Sequence, residues 1–412
     1  MPRVGLATVR PPVLADPPSQ DSWHAPSARN GLTVFFISGM LMSFLGAALP
    51  VWGYHIRGNL VEAARYFLAM AVGLALSYPT SRLLLVRHGV RGAVTTGCAV
   101  AAVAFLWLGA AAPPATWGWR AGGVALLGLG AGWLNASAFQ SISRIYEHDP
   151  ASTVNMAGTL FGLGCLVTVA SLRLGYYIYD ATSLMILLAV PCAFAAGLYW
   201  RSAFLAPVQH EPRPVKRVLD EVRSPGAVLF TLILFFQLGN EWSIAGWLPV
   251  FLVQRVGLSP ERAILLLAAY WLALTLGRVL AQGLLAQVGH GKMLISSVAA
   301  SLFGCVILLS TNNYFGCWVG TLLCGSGYSA VYPLVIEKIG DRFPDYHPGF
   351  YNGLLSLGTA GGLVVPWLLG YAVSWGGLTA IVAIPAAGIV MVFVLLSILW
   401  LEARLSGAKL SS

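Results

Sequence analysis

The chain is 412 residues long, 58% hydrophobic and only 9% charged, with a mean hydropathy of +0.76 and a formal net charge of +9. An apolar excess on that scale excludes a soluble globular domain and predicts a protein that resides in a bilayer. The positive charge would suit an anionic partner such as nucleic acid, so the placement of the basic residues decides its meaning.

Residues 1–30 are polar and rich in proline (Pro11, Pro12, Pro17, Pro18, Pro26). They lack an apolar core with a cleavage site, so a disordered cytoplasmic tail is expected rather than a signal peptide. Six windows long enough to cross a ~30 Å hydrocarbon core follow, at 32–52, 64–85, 93–112, 121–143, 153–175 and 182–200. A polar interruption carries Arg213, Lys216, Arg217, Asp220, Glu221 and Arg223 among prolines. Six further windows lie at 226–252, 262–285, 293–310, 315–336, 351–373 and 377–400. The expected fold is an all-α membrane protein of twelve transmembrane helices. It divides into an N-terminal six-helix half (31–202), a cytoplasmic linker (203–225), a C-terminal six-helix half (226–402) and a short cytoplasmic tail (403–412).

The basic residues sort by side. Arg82, Arg87, Arg91, Arg144, Arg201, Lys292, Lys338, Arg342 and Arg404, with the linker and the N-terminal tail, fall on one side. Only Arg57, Arg65, Arg120, Arg173, Arg255 and Arg262 fall on the other. This asymmetry predicts an inner-membrane protein with both termini cytoplasmic and uses up the basic excess without nucleic acid. All six cysteines lie inside predicted spans, without a CxxC pair or a histidine at metal-ligand spacing, and read as apolar packing residues. The run Gly128, Gly130, Gly132 lies inside an apolar helix with no strand before it, so no dinucleotide loop is expected, and no cofactor or metal with it. Nothing in the sequence calls for more than a monomer.

The two halves resemble each other at an offset near 197 to 199. Ala48-Leu49-Pro50-Val51 matches Trp247-Leu248-Pro249-Val250, and Glu62 matches Glu261. Leu127-Gly128-Leu129-Gly130 matches Cys324-Gly325-Ser326-Gly327, and Asn155 matches Asn352. Duplicated six-helix halves place a substrate site at mid-depth between them.

Glu241 is the only carboxylate deep inside a long apolar window, and a titratable group at that depth is costly enough to mark a functional site. Gln237, Asn240 and Glu241 are spaced i, i+3, i+4 and are expected to share one helix face, with Trp242 beside them. Taking a carboxylate out of water favours its neutral form, which would let it follow a pH difference across the membrane. The alternative is a permanently hydrogen-bonded group that locks helix 7 to a neighbour. Asn135 and Gln140 in helix 4 and Tyr332 in helix 10 are further substrate-site candidates, with packing equally open for the amides. Trp271 in helix 8 offers a face for a ring-shaped solute. Asn155, Asn352 and Arg278 are gate candidates. By helix rise, Arg278 sits roughly 9 Å nearer the cytoplasm than Glu241, so a direct bond between them requires offset helices.

The stretch from Gln237 through Gly239, Asn240, Glu241 and Trp242 to Trp247 resembles the helix 7 signature of the fucose permease-like branch of the major facilitator superfamily. Gly39 to Gly46 with Leu49-Pro50, Trp271 to Gly277-Arg278, and Gly358 to Pro366-Trp367 are similar to that branch as well. The resemblance implies alternating-access transport of a small polar solute, often a sugar, coupled to protons. Fucose permeases place carboxylates in helices 1 and 4, whereas helix 1 here has no acid and helix 4 offers only Asn135 and Gln140. Either Glu241 carries the proton, or transport is uncoupled, or another group couples it. An exporter of hydrophobic metabolites or drugs is the rival within transport. A membrane-embedded transferase is the rival from another class, and no catalytic pair or metal cluster at membrane depth supports it.

Overall fold

The computed structural model describes residues 26–57, 59–148, 150–205, 224–342 and 348–405. Most of the predicted tails and linker lies outside the described residues. Helices make up most of the described residues, which contain no strand. α1 (Pro26–Val51) is interrupted for one residue at Ser43. Leu60–Ala110 is one hydrogen-bonded element of 51 residues, divided at Gly89 into arms 60–88 (α2) and 90–110 (α3). There follow α4 (Trp117–Ser141), α5 (Pro150–Gly175), α6 (Ala181–Trp200), α7 (Pro225–Val256), α8 (Pro260–Val288), α9 (His290–Ser310), α10 (Tyr314–Arg342), α11 (Pro348–Gly376) and α12 (Ala380–Leu405). The twelve predicted windows each fall on one of these helices. Residues 26–30, assigned to the tail from sequence, form the first turn of α1, where Asn30 Nδ2 donates to the Ala203 carbonyl at 2.9 Å beyond the end of α6.

Helix starts follow local chemistry. Ser224 and Ser259 accept from the backbone N–H of Ala227 (3.3 Å) and Arg262 (3.4 Å), and each precedes a proline at the first helical position. Gly89 (φ 66°) and Gly289 (φ 81°) make equivalent turns in the two halves, between α2 and α3 and between α8 and α9. Both sit in the left-handed region that costs a side-chain-bearing residue energy. These turns lie on the face where α1 begins and α12 ends, called the terminal face; the opposite face is called distal.

Lipid offers apolar helices no hydrophobic gain for pairing, so close packing between small residues has to hold the halves together. α5 of the first half lies antiparallel against α8 of the second in a constant register. Arg173 meets Glu261 at the distal end, Gly162 faces Thr275, Gly158 faces Arg278, and Asn155 meets Gln282 at the terminal end. A Cβ at Gly162 would overlap Thr275 Oγ1. Gly162→Ala is therefore expected to cost about 1–3 kcal/mol by overpacking the seam, read as a lower unfolding temperature in nanodiscs.

On the distal side the halves meet again. Phe67 of α2 stacks on Trp247 of α7 at 5.5 Å and 26°, and Gly370 of α11 sits against Ala64 of α2.

Candidate functional site

Three tertiary hydrogen bonds fix the rotation of α7. The Tyr270 hydroxyl of α8 donates to the Glu241 carbonyl at 3.1 Å, Gln237 Nε2 donates to the Tyr328 carbonyl of α10 at 3.4 Å, and Trp247 Nε1 donates to the Pro366 carbonyl of α11 at 2.9 Å. With α7 so held, the Glu241 side chain points between α8 and α10, and the residue is only 2% exposed.

Its partner is Arg278, whose Nη2 lies 3.6 Å from Glu241 Oε1. The expected depth difference is spanned by the long arginine side chain, which reaches back along the bundle instead of turning to the terminal face. Arg278 Nη1 donates to the Gly158 carbonyl of α5 at 2.9 Å, so one guanidinium joins a carboxylate of the second half to the backbone of the first. The residue is 8% exposed. Among the described residues, Glu241 Oε2, Arg278 Nε and Trp271 Nε1 are buried without a hydrogen-bond partner. Buried polar atoms are paired in the great majority of cases, so three unpaired ones close together make this neighbourhood the candidate site.

An aromatic wall flanks this pair. Trp242 lies 5.4 Å from Trp271 and 6.1 Å, edge to face, from Phe161 of α5. Tyr332 lies within electrostatic reach of both Arg278 and Glu241. A cavity of about 440 Å³ opens on the terminal side, lined by Tyr146, Asn155, Arg278, Gln282, Ser329, Pro333 and Glu337 among others. That volume is within the range of small-molecule sites. Glu337 on its rim is engaged by His290 Nε2 at 2.8 Å, whereas Glu241 keeps an oxygen free.

Not every residue expected at the site gathers here. Asn240 shares neither the direction nor the partners of Gln237 and Glu241: its amide lies against Gly388 of α12, where an added Cβ would overlap it. The i, i+3, i+4 spacing spreads over more of the helix surface than a single neighbour covers, and a second helix took the third residue. Asn135 accepts from Ser38 Oγ at 2.5 Å, an α4 to α1 contact within the first half. Gln140 is half-buried near the terminal end of α4, where its carbonyl accepts from Ser143. Asn155 donates to Gln282 across the halves on the cavity wall. The side chain of Asn352 lies outside the described residues.

Other residues that make contacts at the candidate site carried no site signal in the sequence. Gly158, Tyr270, Gln282 and Phe161 act through long-range contacts that no local spacing signals. On the distal side, Arg120 is 6% exposed, with Nε donating to Tyr66 Oη at 2.8 Å and Nη2 to Tyr54 Oη at 3.3 Å. Tyr54 is also bonded to Glu62. Gln254 Nε2 of α7 donates to the Tyr54 carbonyl at 3.2 Å, and Arg173 Nη2 meets Glu261 Oε1 at 2.5 Å; both contacts cross between the halves. Burial pushes the His55 imidazole below its ordinary value, so this closure draws its charges from Arg120, Glu62, Arg173 and Glu261. The repeat carried a signal for part of it, since Glu62 and Glu261 share one offset.

The geometry is thus a buried polar pair where α7 and α8 meet α5, with a cavity on one face and polar contacts on the other. A family model described as Major Facilitator Superfamily matches residues 230–411. An uncharacterized MFS-type transporter of Yersinia pestis is 24% identical over 344 residues, which are 82% of this chain and 86% of that one. Two crystal structures of FucP align with TM-scores of 0.63 and 0.62 at 16% identity, over 90% of this chain and 98% of theirs. The first is described as an outward conformation, and the second is a variant of the E. coli fucose:proton symporter. Residues 230–411 thus match the major facilitator superfamily model, and the described chain shares the fold of the FucP structures.

Proposed function

We propose that the chain moves a small polar solute, a sugar or sugar-like molecule, by alternating access, with Glu241 as the proton carrier. The observation that carries this reading is a buried carboxylate with a free oxygen, held by an arginine that itself lines a 440 Å³ cavity. Trp242 and Trp271 supply aromatic faces of the kind that stack on the apolar faces of sugar rings. The solute would bind against Glu241, Gln237, Trp242, Trp271 and Tyr332. Asn155 and Arg278 would move with the gate on the terminal face. The basic residues collected on that face favour a cytoplasmic orientation in the inner membrane. A monomer suffices, since the site is formed within one chain.

The test is uptake into proteoliposomes with an imposed pH gradient, screened over fucose, other monosaccharides and polyols. For any solute taken up, Glu241→Gln is expected to remove the pH-gradient stimulation and to lower uptake at least tenfold. Unchanged pH dependence in Glu241→Gln would rule out Glu241 as the carrier. Uptake confined to hydrophobic cations would move the reading to an exporter of hydrophobic compounds.

A further inference from the structure

On the distal side the short helical turn Tyr54–Arg57 stands between α1 and α2 and packs against the end of α1 and against α7. Two anchors hold it. From within the first half, Arg120 Nη2 of α4 donates to the Tyr54 hydroxyl at 3.3 Å, with the Trp52 and Tyr66 rings beside the guanidinium. From the second half, Gln254 Nε2 of α7 donates to the carbonyls of Tyr54 at 3.2 Å and His55 at 3.5 Å. The first anchor travels with the turn when the halves rock, whereas the second has to break before the distal face opens. His55 is the side chain in this turn whose charge changes near neutral pH. It is part-buried, and its Nδ1 is enclosed without a hydrogen-bond partner.

A covered ring without an acceptor is a poor host for a second N–H and a positive charge. Burial accordingly holds the His55 imidazole below its ordinary value, against an opposite pull from the Pro50 backbone. Among the described residues no carboxylate compensates it. Arg255 of α7 is bonded to Asn312 at 2.9 Å, and the end of α1 carries no charge. Glu62 and Tyr66 of α2 and Arg120 of α4 engage Tyr54 and one another, and Arg65 of α2 lies over the Trp117 ring. The side chain of Arg57 lies outside the described residues.

We propose that the turn Tyr54–Arg57 is an acid-released latch on the distal face: with His55 neutral it stays seated against α7 under Gln254, and protonation of His55 unseats it and lets the halves part. Opening carries the turn away from α7 and returns the ring to water, where its ordinary value of about 6.5 applies. A proton therefore binds the open arrangement more tightly than the closed one. The closed arrangement keeps its full advantage above about pH 6.5 and loses it as the pH falls toward the lower value of the covered ring. Acid on the distal side thus favours admission of solute from that side. The latch goes beyond the proposed function, since it rests on alternating access and needs neither Glu241 as proton carrier nor a particular solute.

The test is made on the purified protein in nanodiscs at fixed salt, without solute. The six native cysteines are buried, so spin labels on cysteines introduced at Val61 and Ser374 report the distal separation. Between about pH 8 and about pH 5.5, above the ordinary carboxylate range, the share of long distances is expected to rise at least about twofold, as a half-unit difference between covered and uncovered ring requires. His55→Gln, which stays neutral, is expected to hold the alkaline share throughout. Gln254→Leu is expected to raise the share already at the alkaline end. If the unmodified protein shows no rise, or His55→Gln shows the same one, His55 does not release the face and the proposal is overturned. Titration of the His55 imidazole by NMR decides the matter even where His55→Gln fails to fold. Its midpoint is expected below about 6.5 and should move up in Gln254→Leu, because linkage between proton and opening is reciprocal. A midpoint that Gln254→Leu leaves in place would mean that closure does not cover the ring, and the latch would fall.

Discussion

Arg278→Gln is expected to be the most destabilising single substitution at the site, lowering stability by about 3–5 kcal/mol. The change leaves Glu241, 2% exposed, as a buried carboxylate without its counter-charge and removes the bond to Gly158 that ties α8 to α5. At 1.4 kcal/mol per factor of ten, that corresponds to roughly a hundredfold to a few thousandfold change in the folded ratio. Glu241→Gln/Arg278→Gln should lose less than the sum of the single variants, with a coupling of about 0.5–3 kcal/mol. The cycle is measured by thermal or denaturant unfolding in a fixed detergent. Additive losses would mean that the 3.6 Å separation reflects proximity without an energetic bond.

Glu261→Gln is expected to open the distal face. Arg173 and Glu261 are about 30% exposed, so their pair contributes only about 0–1 kcal/mol to stability. The same energy acts differently on a conformational balance. The pair joins α5 to α8 while the cavity faces the terminal side, and its removal favours any state in which it is already broken. A loss of 1 kcal/mol shifts such a balance by about fivefold. Spin labels at Val61 of α2 and Ser374 of α11, both near the distal ends, should report a larger share of long distances in the variant. Raising salt to 1 M should move the unmodified protein part of the way, since partly exposed charges are screened. Identical distance distributions in all three cases would remove the pair from the gate.

Twelve helices and their order were legible in the sequence because each depends on local information. Apolarity over a window of about 20 residues sets a span whatever lies beside it. The depth of Glu241 was legible for the same reason. Its surroundings were not. Gln237, Asn240 and Glu241 looked alike as one polar face, yet Gln237 reaches the Tyr328 carbonyl of α10, Glu241 meets Arg278 of α8, and Asn240 is pressed against Gly388 of α12. Arg120 was placed by the sequence only among the basic residues of the distal side, and it is buried with Tyr54 and Tyr66.

By itself, then, the sequence determined an all-helical membrane-protein fold and one carboxylate deep inside a long apolar helix. Only the tertiary structure decided which charge faces that group, which face of the molecule is open, and that α5 and α8 form the seam joining the halves. Hydropathy is a property of each segment against lipid, whereas a partner is chosen by the relative rotation of packed helices. Arg173 and Glu261 are 88 residues apart and Arg278 and Gly158 are 120 apart, and these pairings exist only once those rotations are set.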